Sequence, residues 1–181
     1  MNRMVEDLLT LARAERPDFL TPEPVDLEVW THEMFRKASM LCGRTWLLEE
    51  CASEIVRADS QQLTQAIMQL AENACRHTDA DVPVRMGSAI DRNTVRLWVH
   101  DDGPGVSAED APRVFQRFVK SSGRRTGSGL GLSIVAAIAD AHGGHARLDT
   151  SARWGARFEI VVPAVPARDV GSSASPVLSA D

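Results

Sequence analysis

Asp101-Asp102-Gly103-Pro104-Gly105-Val106 and Gly127-Ser128-Gly129-Leu130-Gly131-Leu132 are two glycine-rich turns, and their reading decides the fold. Between them stand Arg113-Val114-Phe115-Gln116-Arg117-Phe118 and a pliable loop carrying Lys120, Arg124 and Arg125 among Ser121, Ser122 and Gly123. An apolar run from Thr94 to His100 enters the first turn as a strand. The run from Leu130 to Ala141, with Leu132, Ile134, Val135 and Ile138, leaves the second as a buried helix. Taken alone, Asp101 can be a turn former. Alternatively its carboxylate accepts a hydrogen bond from the exocyclic amine of adenine, with Gly103 and Gly105 letting the backbone pass close to the ring. Likewise Gly127, Gly129 and Gly131 either sharpen a helix entry or expose backbone N–H groups where an anion is favoured. The expectation is an ATP site covered by a flexible lid.

Such a site needs a partner element, and the helix predicted from Asp59 or Ser60 to about His77 supplies it. Leu63, Ala66, Ile67, Leu70 and Ala74 form its apolar face. Gln62, Gln65, Gln69, Asn73 and Arg76 make a separate polar stripe at helical spacing, with Glu72 beside it. A solvated helix face usually alternates Lys with Glu, whereas this stripe is rich in amides. Side chains that both donate and accept suit phosphates, metal and water. An amide-rich helix, a D-x-G-x-G turn and a G-x-G-x-G turn occur in that order, and chance explains the three together poorly.

Around this centre the remaining segments read as follows. Residues 1 to about 15 form a helix with Met1, Met4, Val5, Leu8, Leu11 and Ala12 on one stripe, stopped by Pro17. That stripe could dock on the next domain or be the end of a longer coiled coil; the lack of a cap before it predicts that the helix continues upstream. Phe19 to Pro24 is a linker, Val25 to Leu27 a short strand, and residues 28–41 a helix ended by Gly43. Trp46–Cys51 and Ile55–Ala58 are strands, Val82–Ile90 pairs with Thr94–His100, and Ala146–Thr150 pairs with Arg157–Val162. Ser107–Ala111 is one helical turn. From Ala164 onward Ala, Ser, Pro and Val give little to pack. The predicted architecture is an α+β two-layer sandwich: a mixed, mostly antiparallel sheet covered on one face by about three helices, with an N-terminal helix in addition.

Composition narrows the function classes. The 181 residues suffice for one domain with appendages, and a net charge of −5 gives no nucleic-acid surface. Cys42, Cys51 and Cys75 form no C-x-x-C and read as plain thiols in a reducing compartment. No apolar run approaches the ~20 residues of a membrane span. There is no P-loop. The dinucleotide fingerprint also fails: from Gly127 or Gly129 its third glycine falls on Leu132 or Ile134, after a polar, basic segment rather than a strand. His142 and His145 resemble a metal pair only by spacing, without Cys or acidic support, so no zinc site is assigned.

These residues strongly resemble the ATP-binding catalytic domain of bacterial sensor histidine kinases, a branch of the superfamily shared with gyrase, Hsp90 and MutL and built on the Bergerat fold. The family's N box matches Gln69 to Thr78, its first glycine box Asp101 to Val106, its F box Val114 to Phe118, and its second glycine box Gly127 to Leu132. Met4 to Arg13 also resembles the end of the second dimerisation helix. The resemblance implies residues 1–16 as that helix end, 17–24 as linker, 25–163 as the ATP-binding domain and 164–181 as a disordered tail. It implies Asn73 as the Mg²⁺ ligand and Glu72 as the acid–base residue. Gln69, Arg76 and His77 would touch phosphates or ribose, and Asp101 would read adenine beside Gly103, Gly105 and Val106. Phe115 and Phe118 would anchor the lid, Arg117 and Lys120 would approach the β- and γ-phosphates, and Gly127, Ser128, Gly129, Leu130, Gly131 and Leu132 would cradle the phosphates.

The implied activity is transfer of the ATP γ-phosphate to a histidine of the protein's own dimerisation domain, for relay to a response regulator. The acceptor helix is absent from this chain: His32-Glu33 is followed by Met-Phe-Arg-Lys, without the proline of the family's acceptor motif. A homodimer is expected for the full-length protein, anchored in the bacterial inner membrane, with this segment soluble and cytoplasmic. The alternatives are a serine kinase that regulates a sigma factor, which lacks the dimerisation helix, and a nucleotide-gated interaction module without transfer. The intact Glu72, Asn73 and glycine boxes argue against the second.

Overall fold

The computed structural model describes residues 2–119, 128–149 and 155–166. Lys120, Ser121, Ser122, Gly123, Arg124, Arg125 and Gly127 of the expected lid, the turn from Ser151 to Trp154, and residues 167–181 lie outside them.

The element order is α1 (Asn2–Ala14), β1 (Glu23–Asp26), α2 (Leu27–Ser39), β2 (Trp46–Leu48), β3 (Ile55–Ala58), α3 (Ser60–His77), β4 (Val84–Asp91), β5 (Thr94–Asp101), α4 (Gly131–Ala141), β6 (His145–Asp149) and β7 (Ala156–Pro163). A 3₁₀ turn at Ala111–Arg113 follows the turn read at 107–111. The main sheet has the order β2-β4-β5-β7-β6, with β2 parallel to β4 and every other neighbour antiparallel. β1 and β3 form a separate antiparallel ribbon. The two strands read on either side of residues 52–54 therefore belong to different sheets.

Period-two alternation sorts the strands. Val95, Leu97 and Val99 of β5 join Val84 and Met86 of β4 and Phe158, Ile160 and Val162 of β7 in one core. Trp30 and Met34 of α2, Leu63, Ile67 and Leu70 of α3 and Ile134 and Ile138 of α4 cover them. At about 25 cal/mol per Å² of apolar area, this core is the main source of stability. Asp26 caps α2 by accepting from the Val29 amide at 3.1 Å, and Asp59 caps α3 by accepting from the Gln62 amide at 2.9 Å.

Two expectations are corrected. Cys42 and Cys75 are joined as a disulfide, leaving Cys51 as the free cysteine among the described residues. Packing also runs past residue 163: the Ala164 amide donates to Asn93, the Arg57 amide donates to Val165, and Pro166 bridges Val56. The read stripe of α1 resolves in an unexpected way. Leu11 and Asp7 are buried against the domain, while Met4, Val5, Leu8 and Leu9 stay exposed.

Candidate functional site

Asp101 is the last residue of β5, paired with Ala156 of β7. Only 4% exposed, its Oδ1 accepts from the Gly103 amide at 3.0 Å. Burial pushes its carboxyl above the ordinary aspartate range, and the Gly103 amide, His100 and the Ala156 amide pull partly back. Gly155 makes the seat possible. It has φ +79, and a Cβ there would lie 1.6 Å from the Asp101 carbonyl oxygen. Gly105 lies against the Gly155 carbonyl oxygen from the other side, 2.8 Å from where its own Cβ would be, and Val106 is half-buried against the core.

α3 meets both glycine turns. At its C-terminal end the Thr78 methyl sits 2.6 Å from where a Gly103 Cβ would be. Two and a half turns earlier, Gln69 Oε1 sits 2.7 Å from the corresponding point on Gly131, the first residue of α4. Between those contacts the helix carries Glu72, Asn73, Arg76 and His77, all half-buried. Glu72 and Arg76 form an i,i+4 ion pair at 3.9 Å. The nine helical steps from Gln69 to Thr78 span about 14 Å, comparable to the reach of a nucleoside triphosphate.

At the second turn, Ser128 Oγ accepts from the Leu130 amide at 3.3 Å, Leu130 is fully buried, and Leu132 packs half-buried on the core. Gly129 adopts φ +71 with its α-carbon against the Phe118 backbone, and the Phe118 amide donates to the Gly129 carbonyl at 2.9 Å. The described residues that flank the expected lid are thus tied together through backbone. Phe115 packs edge-on against Phe158 at 6.0 Å. Phe118 behaves differently: its ring is 59% exposed and its φ is +65, so it is held through its amide rather than its side chain. Arg117 pairs with Glu15 at 3.2 Å.

Several participants escaped sequence reading. Asp7 of α1 is 6% exposed and accepts from Ser128 Oγ at 3.3 Å, while Gln65 donates to Thr10 at 3.2 Å. α1 thereby reaches the rim of the second turn. The sequence offered no signal for Asp7, which reads there as one of the charges outside the apolar stripe; its burial follows from where α1 docks. Asp102 bonds Arg85, whose guanidinium it holds more firmly protonated, so the second carboxylate of the turn faces away from Asp101's duty. His142 is structural: its Nδ1 lies 2.8 Å from the Ile138 carbonyl and its Nε2 accepts from the Asp59 amide at 3.2 Å. His32 is exposed on α2.

Comparison with known proteins follows the same lines. Residues 58–166 match the family described as histidine kinase-, DNA gyrase B-, and HSP90-like ATPase. A probable sensor histidine kinase of Mycobacterium tuberculosis is 32% identical over 90% of this chain and 43% of its own length. The sensor protein RstB of Escherichia coli is 33% identical over 90% of this chain and 39% of its own. This chain therefore spans about two fifths of those relatives. Among solved structures, full-length ShkA in complex with AMPPNP superposes with a TM-score of 0.77 at 29% identity, covering 91% of this chain and 36% of that one. The mycobacterial sensor histidine kinase MprB gives 0.70 at 28% identity, covering 80% of this chain and 99% of that one.

Proposed function

Because the chain belongs to the histidine kinase-, DNA gyrase B-, and HSP90-like ATPase family, we propose that it is the ATP-binding catalytic part of a two-component sensor histidine kinase. The observation that carries this reading is the contact of one helix, α3, with both glycine turns, through Thr78 at Gly103 and Gln69 at Gly131. A nucleotide laid along that helix would place adenine at Asp101 and its phosphates at the N-terminus of α4, where backbone N–H groups favour an anion.

In this reading Asp101 accepts from the adenine amine, while Gly103, Gly105 and Val106 line the ring. Gln69, Arg76 and His77 contact ribose or phosphates. Ser128, Gly129, Leu130, Gly131 and Leu132 present the phosphate cradle, which Gly127 and Lys120 would complete from outside the described residues. Arg117 would exchange Glu15 for a phosphate, and Phe115 on Phe158 anchors the lid. Among the described residues no group of three or more His, Cys, Asp or Glu side chains could hold an ion by itself. The single amide oxygen of Asn73 fits Mg²⁺ arriving with the nucleotide, an ion that keeps phosphate and water ligands. When bound, that ion supplies charge neutralisation at the phosphates.

The proposed reaction is in-line attack by a histidine ring nitrogen on the γ-phosphorus. An N–P bond forms, the bond to the departing ADP breaks, and Glu72 receives the imidazole proton. The phosphoryl group would then pass to a response-regulator aspartate. The acceptor histidine lies outside this chain, on a dimerisation domain of which residues 1–16 would be the end, with 17–24 as linker and 25–163 as the catalytic domain. The exposed Met4, Val5, Leu8 and Leu9 support that assignment, because a helix docked through Asp7, Thr10 and Leu11 leaves an apolar face for a further partner. No helix among the described residues is long and apolar enough to cross a membrane; attachment of the full-length protein would come from upstream sequence.

The test is calorimetric titration with an ATP analogue, with and without Mg²⁺, of the parent and of Asp101→Asn. Losing a hydrogen bond to a charged acceptor costs about 1.5–3 kcal/mol, or roughly tenfold to hundredfold in affinity. Equal affinity in the two proteins would remove Asp101 from the adenine site.

A further inference from the structure

Cys42 and Cys75 connect an exposed loop to the helix that carries the candidate site. Cys75 lies on α3, three residues after Glu72 and two after Asn73. Cys42 follows α2 in a segment whose neighbours Met40 and Leu41 are 78% and 40% exposed, and a side chain on Gly43 would meet nothing within 4 Å. The two cysteines are bonded with their α-carbons 6.3 Å apart, and both are half-buried.

Two residues beyond Cys42, Arg44 closes over the end of α3. Its Nη2 donates to the Cys75 carbonyl at 3.0 Å and to the Thr78 carbonyl at 3.2 Å, and its Nη1 donates to Thr78 Oγ1. Thr78 Oγ1 donates in turn to the Ala74 carbonyl at 2.7 Å. A cation on the last carbonyls of a helix is favourable, and here it fixes the helix end. The other face of Thr78 is the methyl group that abuts Gly103, whose amide holds Asp101. Covalent and hydrogen bonds therefore run from the disulfide through Arg44 to Thr78, and the packing of the Thr78 methyl on Gly103 carries the path on to the adenine turn.

We propose that Cys42 and Cys75 are a reversible thiol pair whose oxidation state sets the affinity of the nucleotide site. The inference rests on the nucleotide reading of that site. Oxidation proceeds by exchange with a small-molecule disulfide: the Cys42–Cys75 S–S bond forms, the incoming S–S bond breaks, and two small thiols leave with the two protons and two electrons given up by the cysteines. A dithiol reverses the step. Reduction frees the 40–45 loop, Arg44 loses its fixed approach to the helix end, and Thr78 no longer presses the turn into its binding form. Position on a solvent-facing loop gives both reactants access to the bond.

The experiment uses the whole 181-residue chain, oxidised with glutathione disulfide or reduced with excess dithiothreitol, the state of each sample verified by mass. Affinity for Mg²⁺ and an ATP analogue is measured by calorimetry, and amide exchange is followed at residues 75–78 and 101–105. If reduction leaves the binding-competent turn populated about one part in ten, the apparent Kd rises about tenfold. Exchange at 101–105 accelerates alongside it. Cys42→Ser in oxidising buffer matches the reduced parent and no longer responds to dithiothreitol; Arg44→Gln, still able to form the disulfide, binds as weakly as the reduced parent. Equal Kd and equal exchange in the two states, or free thiols persisting in glutathione disulfide, would overturn the proposal. A disulfide that raises only the melting temperature would do so as well. No binding by either sample, with exchange at 101–105 still redox-dependent, would instead overturn the nucleotide reading and uphold the coupling.

Discussion

Asp101 illustrates how a single residue separates a structural from a functional role. A mere turn former gains nothing from a charge, and a buried carboxylate is held at a cost. Its raised folded-state value means that its contribution to stability is present below the ordinary aspartate value and is lost as pH rises through the folded one. Asp101→Asn should therefore melt higher than the parent at pH 8, with the difference closing as pH falls toward about 4. Thermal melts of both proteins across that range check it, and a parent that gains nothing relative to the variant on acidification contradicts it. Higher stability joined to weaker nucleotide binding is the pattern expected of a functional residue. Gly155→Ala should act in the opposite direction. With φ +79 and a Cβ 1.6 Å from the Asp101 carbonyl oxygen, it combines backbone strain with overlap that the sheet cannot relieve. The expected loss is at least about 2 kcal/mol in urea denaturation, together with weaker nucleotide binding.

At the scale of elements, α3 was the most legible part of the chain. Its cap, its apolar face and its end at His77 all follow from local rules, and the structure has Asp59 at the cap and Ser60–His77 in the helix. Asp59 does more than a cap requires, because Oδ2 also accepts from the Thr21 amide at 2.7 Å and ties the linker to the helix start. Asp59→Ala should cost about 2 kcal/mol by urea denaturation, and Asp59→Asn distinctly less, since Asn caps nearly as well. Equal losses in the two variants would mean that charge rather than capping matters. The short strands were less legible. Trp46–Leu48 and Ile55–Ala58 look alike in sequence, yet one extends the main sheet in parallel and the other pairs with β1. Strand identity is local; strand partnership depends on residues far away in the chain. Phe118 fits the same lesson, because the resemblance implied a lid anchor while a left-handed backbone leaves its ring exposed.

The whole molecule has a second organised region on the sheet face away from the helices. Trp98 lies there, opposite Gly87, and is nonetheless 1% exposed. The Arg157 guanidinium stacks 4.3 Å over its ring, and its indole N–H donates to Glu49 at 2.9 Å. Glu159, with a side chain 0% exposed, accepts from Arg157 Nε at 2.8 Å and from Arg147 Nε at 2.7 Å. Removing Arg157 would leave the buried Glu159 carboxylate with Arg147 as its remaining partner and would uncover Trp98, and a buried charge that loses a partner costs more than the pair contributes. Arg157→Ala should lower stability by about 2–4 kcal/mol, or Tm by roughly 5–15 °C in a chain of this size. Arg157→Lys should recover only part of that, since it lacks the planar fork and the stack. A melt of Arg157→Ala within a degree or two of the parent would show the cluster to be incidental.

Local chemistry therefore determined the elements, the two glycine turns, the amide-rich helix and the order in which they occur, because propensity, capping and periodicity act over a few residues. That was enough for the fold class and for naming the candidate side chains of the site. Tertiary structure alone decided which groups would be neighbours. It brought Gln69 to Gly131 and Thr78 to Gly103, seated Asp101 against Gly155, and set Asp7 of the first helix beside Ser128. It also joined Cys42 to Cys75, which in the sequence read as plain thiols. Each of these contacts spans many residues of intervening chain, and its energy depends on the packed core that holds both ends, so no local pattern could encode it.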